Sequence, residues 1–542
     1  MPERNKFLKT LVLLLLIAGL IIFIYHDLPK TFFQQDEWSA FGHIIYRQSL
    51  GGGWLSDYFF SSAGLAHFTP LNTLFYQTQF KLFGLNFSPY AWVSIFLHLI
   101  NTFLVFYLAL LLFSSENLAF VSGLIFATYS FSHQAVSWVA TSGGTLNSAL
   151  FLLLSLILFF KNKPALSVLS FAISLGFKEN SIFLFIFFPF LGLIFSRETK
   201  IFKYLFTLAA FYLALRFFLK INAPSLSGQA TLASFAVYLY RILSLPFKII
   251  PQGFVSARQL ISLAKYWLTN FHPQTSEDLI IETVGVDLIC FLLTVAFCFF
   301  FWFFYQKLKQ KKQIKEIKIL FFSLGLIILS GLPFIFIPGK AGYFSLYEPR
   351  NLYITSIGAA LFLSLIGWSF LKQKPILFWL FILMILGLHI KNIHRDLGNL
   401  LEVSQTRKTI LEQIKASYPD LPQKVIFYTE SDTSYYGLPA EEKILPFQSG
   451  FGQTLVVWYN SQENFPPCFH KDVFLYELTA QGYRECQGRG FGYFRDFNKL
   501  KQALKESNLT TDSVFAFEWQ KNKNKIFDVT EGVRRKLKKE TF

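Results

Sequence analysis

Apolar runs of near membrane-spanning length recur along the first 390 residues, and this is the feature that most restricts the fold. About 20 consecutive apolar residues are needed to cross a bilayer core as a helix. Eleven stretches are expected to do so: 8–25, 90–113, 117–131, 145–160, 164–177, 180–195, 201–219, 284–306, 319–337, 351–371 and 375–392. Only 15% of the residues are charged and 53% are hydrophobic, whereas a soluble domain carries about 25% charged residues. Soluble fold classes are therefore set aside for this part of the chain. The first run resembles a secretory signal in length. Phe23, Tyr25, His26 and Asp27 follow it in place of small cleavage-site residues, so it is read as an anchor.

Lys and Arg in short loops set the expected orientation. Arg4, Lys6 and Lys9 precede the first span, and Lys161 and Lys163 follow the fourth. Arg197, Lys200 and Lys203 follow the sixth, six lysines lie within 307–318, and Lys372 and Lys374 separate the last two. Eleven spans place all these groups on one side, the cytoplasm, together with the N-terminus. The exoplasmic side of a cell membrane then receives loop 26–89, residues 132–144, the Lys178–Glu179 turn, loop 220–283, loop 338–350 and everything beyond residue 394. The net charge is +17, yet residues 395–542 carry 21 Lys and Arg against 19 Asp and Glu. The basic excess belongs to the membrane half, where it reads as a topology signal and as contact with phosphate or lipid headgroups, with no nucleic-acid partner.

The division expected is a membrane module, residues 1–394, and a small exoplasmic α/β domain, residues 395–542. In the latter, 397–417, 499–507 and 530–539 have helical spacing, and 425–428 and 454–459 read as buried strands. Within the first loop, 36–50 has the stripe Trp38, Phe41, Ile44, Ile45 of a helix lying on the membrane surface, and 71–84 is a second amphipathic segment. Cys290 and Cys298 sit in one apolar run and read as core residues. Cys468 and Cys486 could pair in an oxidising compartment.

Charge at a membrane boundary points to function by default, so the exoplasmic charges are the candidates. Asp36 and Glu37 come first, two adjacent carboxylates just past the first span; the ordinary alternative is a solvated helix N-terminus. His67, His133, Lys178, Glu179, Lys340, Glu348 and Arg350 follow. Lys178–Glu179 could simply compensate each other, and Glu348-Pro349-Arg350 could simply open a helix. His98 and Asn101, inside the second span, are expected to bond neighbouring helices. Loop 220–283 holds Arg241, Lys248, Arg258 and Lys265 with no acid between 221 and 276, a basic surface suited to an anionic lipid phosphate.

At these residues the chain resembles the type-C (GT-C) membrane glycosyltransferases, a superfamily that includes protein O-mannosyltransferases and bacterial lipid A aminoarabinose transferases. Phe83-Gly84-Leu85-Asn86 through Leu97-His98-Leu99-Ile100-Asn101 is similar to a segment of the tetratricopeptide-bearing transmembrane O-mannosyltransferases. Ser132-His133-Gln134-Ala135-Val136-Ser137-Trp138-Val139 is similar to their PvhtEaVawv, with Gln134 in place of Glu. Lys178-Glu179 matches their Lys-Glu pair, and Tyr347 to Gly358 resembles ERYLYlpsiG with Pro349 inserted. The tetratricopeptide repeats are absent. The resemblance covers about residues 30–370 and implies inverting transfer of a sugar from a polyprenyl-phosphate carrier to a hydroxyl on a protein, lipid or glycan. By it, Asp36 and Glu37 are the catalytic carboxylates. Arg350, Lys178, Arg241, Lys248 and Arg258 bind the donor phosphate, and His67, His133, Glu179 and Glu348 support them. A divalent cation is used by some members and not by others. A transporter or lipid flippase is the main alternative, and a membrane scaffold without catalysis is another.

Overall fold

Residues 2–34, 36–49, 68–196, 200–218, 232–269, 285–336, 346–429, 451–460, 465–470, 481–520, 523 and 525–541 are described by a computed structural model. An apolar helix stands at each of the eleven expected stretches. Among the described residues, eight are long and apolar enough to cross a membrane: Phe7–Lys30, Phe87–Phe113, Val139–Phe160, Lys200–Phe218, Val286–Gln310, Ile314–Ile335, Pro349–Leu371 and Pro375–Ser417. Glu116–Ala127, Pro164–Phe177 and Glu179–Phe195 are apolar but shorter. Leu193, Phe206 and Phe217 are each more than three-quarters exposed, a surface that suits hydrocarbon and not water. The protein is polytopic and helical, with a small C-terminal sheet.

The chain forms two compact units. The first comprises Met1–His26, Tyr58–Tyr76 and Ala91–Asp396. The second comprises Asp27–Asp57, Gln77–Tyr90 and Leu397–Phe542. Two separate helices were expected at 375–392 and 397–417; one helix, Pro375–Ser417, runs through both. No Pro or Gly interrupts Ile393-His394-Arg395-Asp396, so nothing stops the helix there. The expected boundary after residue 394 lies within it.

In the first unit, hydroxyl pairs join neighbouring helices. Ser155 and Ser148, seven residues apart on Val139–Phe160, meet Ser167 and Ser174, seven apart on Pro164–Phe177. Ser155 Oγ donates to the Ser167 carbonyl at 2.7 Å, and Ser174 Oγ donates to the Ser148 carbonyl at 2.7 Å. Ser122 bonds Ser364, Ser94 bonds Ser142 and Ser330 bonds Thr355. Lipid tails are as apolar as leucine, so small residues and hydroxyls decide which helices pair. Gly358 shows the same economy of size: a Cβ there would lie 2.7 Å from the Ser323 carbonyl oxygen on the adjacent helix Ile314–Leu329.

The second unit is built on a five-stranded sheet of order β2-β3-β1-β4-β5. These strands are β1 (Lys424–Thr429), β2 (Gly482–Cys486), β3 (Arg489–Phe494), β4 (Val514–Gln520) and β5 (Lys525–Asp528). β1 is parallel to β3 and β4, with Phe427 opposite Tyr493 and Phe515, and the edge strands pair antiparallel. A central strand buried on both faces is apolar throughout, as Val425 to Tyr428 are. Gln487 and Gly488, both at positive φ, form the two-residue turn from β2 to β3. Helices Phe497–Glu506 and Thr530–Thr541 pack Leu500, Leu504, Val533 and Leu537 on one face of the sheet. Residues 454–459 are not a strand: Phe451–Trp458 is a helix whose Gly452 sits against Tyr493. Its β-branched run yields to that packing, since strand preference reflects context.

Helix Asp36–Ser49 forms as its period predicts, but its apolar stripe faces protein and not lipid. Trp38, Phe41, Ile44 and Ile45 are buried. Within the second unit Trp38 meets Phe32, Phe33 and Trp458, and Phe41 stacks on Phe80 at 4.9 Å. The second amphipathic segment is helix Pro70–Phe83. Cys290 is buried as expected, whereas Cys298 faces outward, because its helix is apolar all round and an outward position needs no polar residue. Cys468 and Cys486 are joined by a disulfide.

Candidate functional site

The first unit gathers short 3-10 turns: Ser130–Ser132, Glu179–Ser181, Leu332–Phe336 and Pro349–Leu352. The turn at 349–352 packs on those around His133, and the turn at 332–336 packs on the one at 179–181. Most of the sequence-predicted cations meet here. Lys178 leaves helix Pro164–Phe177 in extended conformation, and its Nζ donates to Thr145 Oγ1 at 2.9 Å. Arg350 lies over the Trp138 ring at 4.4 Å and pairs with Glu348. Burial first, and the Arg350 charge after it, lower the Lys178 ammonium from 10.5 to about 8 against the opposing pull of Glu348. Lys178, Glu348 and Arg350 thus form one electrostatic group.

Glu179 does not compensate Lys178. It pairs with Arg216 and accepts from Tyr212 Oη at 2.8 Å. Arg216 was missed in the sequence, although a lone cation near the end of an apolar run was signal enough. Arg241 donates to the Ile335 carbonyl at 3.0 Å and its charge is felt by Tyr347.

His133 joins the turn Ser130–Ser132 to the short helix Gln134–Ser137. Its Nε2 is 3.3 Å from Asp396 Oδ2, its Nδ1 is 3.5 Å from Ser137 Oγ, and Asp396 also pairs with Arg395. An imidazole steadied by a carboxylate can accept a proton. Asp396 was missed because only the long unbroken helix brings it to His133. His98 and Asn101 bond neighbouring helices as expected. His98 reaches the Ala127 carbonyl at 3.2 Å and Tyr353 Oη at 2.7 Å, and Asn101 Nδ2 donates to the Leu146 carbonyl at 2.9 Å. The carbonyl requires the Nε2 proton, so Nδ1 accepts from Tyr353.

Two further expected cations stand elsewhere. Lys248 Nζ is 3.7 Å from Asp287 Oδ1, and Arg258 is exposed. His67 and Lys340 lie outside the described residues.

Asp36 and Glu37 belong to the second unit. Glu37 is fully buried; its Oε2 accepts from the Gln34 amide at 3.2 Å, and its charge supports the buried Arg407. Those surroundings suit a fixed anion that holds the helix start. Asp36, one residue earlier, is exposed.

Among the described residues no three His, Cys, Asp or Glu side chains come together as metal ligands. Neither a protein-family model nor a curated protein matches the chain.

Proposed function

We propose that this protein is an integral-membrane glycosyltransferase of the GT-C type. It moves a sugar from a polyprenyl-phosphate donor to a hydroxyl acceptor on a protein, lipid or glycan. The observation that carries the proposal is the group Lys178, Arg350 and Trp138 at the turn-rich end of the first unit. Two cations there suit a leaving phosphate whose charge grows as the glycosidic bond breaks, and an indole beside them suits a sugar face.

In this mechanism Asp36 accepts the acceptor's hydroxyl proton. The oxygen attacks the anomeric carbon from the face opposite the phosphate, the carbon–phosphate-oxygen bond breaks, and the polyprenyl phosphate leaves with the electron pair. The anomeric centre inverts. Lys178 and Arg350 bind the departing phosphate, with Arg241 as a further cation. Glu37 anchors the helix that carries Asp36. The Cys468–Cys486 bond supports an exoplasmic second unit, because disulfides persist in oxidising compartments.

The test is transfer of a radiolabelled polyprenyl-phosphate hexose by the full-length protein in proteoliposomes. Asp36→Asn should lower transfer by about 10²-fold or more, as expected for a lost general base, and Arg350→Ala should weaken donor use more than acceptor use. If His133→Gln abolishes transfer and Asp36→Asn does not, the base is the imidazole. Lipid movement across the bilayer without sugar transfer would instead mark a flippase.

A further inference from the structure

A second charged site lies on the helix that also carries Arg241, whose charge reaches it. Helix Leu232–Gln252 places Tyr240, Leu243, Phe247 and Lys248 on one face, at spacings of three, seven and eight residues. Helix Val286–Gln310 places Asp287, Cys290 and Phe291 opposite them, and the two stripes enclose a cleft of about 240 Å³. Its walls are almost wholly apolar. Its polar end is one cation and one anion: Lys248 Nζ and Asp287 Oδ1 stand 3.7 Å apart, and Tyr240 Oη donates to Asp287 Oδ2 at 2.9 Å.

Three observations identify the occupant. A direct charge-assisted bond measures about 2.7–2.9 Å, so the pair is not in close contact, and Asp287 Oδ1 is buried without a hydrogen bond. Leu243, Leu288 and Phe291 are exposed beside the cleft, at 63%, 54% and 46%, so it opens onto the same apolar surface as the spans and a lipid can reach it sideways. Asp287 is the second residue of an apolar span, which sets the charges at the depth of a headgroup.

We propose that this cleft holds a phospholipid whose zwitterionic headgroup carries a primary ammonium, its phosphate on Lys248, its ammonium on Asp287 and one acyl chain along Leu243, Phe247 and Phe291. A purely anionic headgroup would gain Lys248 and be repelled by Asp287 close by. A quaternary ammonium could not donate to the bare Asp287 oxygen. A headgroup with both charges and N–H donors complements both side chains. The proposal does not rest on glycosyl transfer, and it gives Lys248 a role other than donor-phosphate binding.

Native mass spectrometry of the full-length protein in micelles tests this, with phosphatidylethanolamine, phosphatidylglycerol and phosphatidylcholine added in turn. Phosphatidylethanolamine should be retained about tenfold better than either of the others. Asp287→Asn should bring it level with phosphatidylglycerol, and Lys248→Met should weaken both. Leu243→Trp, at an exposed position, fills the cleft while leaving both charges in place and should lower retention of all three. Equal retention of the three lipids by the unaltered protein, a preference for phosphatidylglycerol, or full retention by Leu243→Trp would overturn the proposal.

Discussion

At the scale of single residues, the informative contrast is between neighbours with opposite surroundings. Asp36 is exposed and Glu37 buried, and Lys178 turns to Thr145 while Glu179 turns to Arg216. The two members of each doublet turn to different surroundings. Neither split can be read from a dipeptide, because burial depends on what the helix docks against. Lys178 offers a measurable consequence. Its folded-state value is about 8 against an ordinary 10.5. Below pH 8 both folded and unfolded chains carry the charge, so the burial penalty is present in full. Between about pH 8 and 10.5 the unfolded chain still holds a proton that the folded chain has released, so stability rises with pH through that window. Donor-phosphate affinity should fall over the same window as the ammonium is lost. Thermal unfolding and donor-binding curves across pH 7–10 should move in these opposite directions, and Lys178→Met should flatten both.

At the scale of elements, helix contacts in the first unit rest on hydroxyls and on missing side chains. The seven-residue spacing of Ser148 and Ser155, and again of Ser167 and Ser174, was present in the chain but meaningless until the two helices were seen antiparallel. Gly358 lets helix Tyr353–Leu371 approach the backbone of Ile314–Leu329, where a Cβ would meet Ser323 oxygen at 2.7 Å and Ile327 Cγ1 at 2.9 Å. Gly358→Ala must push the helices apart, since the nearest atom is backbone and cannot rotate away. A loss of about 1–3 kcal/mol is expected, seen as a lowered melting temperature in detergent, while Gly387→Ala, inside a helix where a Cβ meets nothing within 4 Å, should leave it unchanged or raise it. In the sheet, β1 was legible as a short apolar run. β2, β3 and β5 were not, because a glycine-rich hairpin and a half-buried edge leave no clean alternation; β4 is a buried apolar run like β1 that was missed in the sequence, and the β-branched run at 454–459 pointed to a strand where tertiary contacts impose a helix.

At the scale of the whole molecule, the second unit combines segments from both ends of the chain, 27–57 and 77–90 with 397–542. The Cys468–Cys486 bond lies inside it and closes a loop with a sequence separation of 18. Replacing both cysteines by Ser should lower the stability of that unit by about 3 kcal/mol, measured as faster limited proteolysis within residues 397–542 than within 91–396. The positions of the apolar helices at the eleven expected stretches and of the central strand follow from local composition and period, because hydrophobic length and spacing act along the chain. The grouping of Lys178 with Glu348 and Arg350, of His133 with Asp396 and of Glu37 with Arg407 does not follow from any of these. Apolar helix surfaces carry little information about partners, so it is the packing of small and polar residues that brings distant charges within reach of one another.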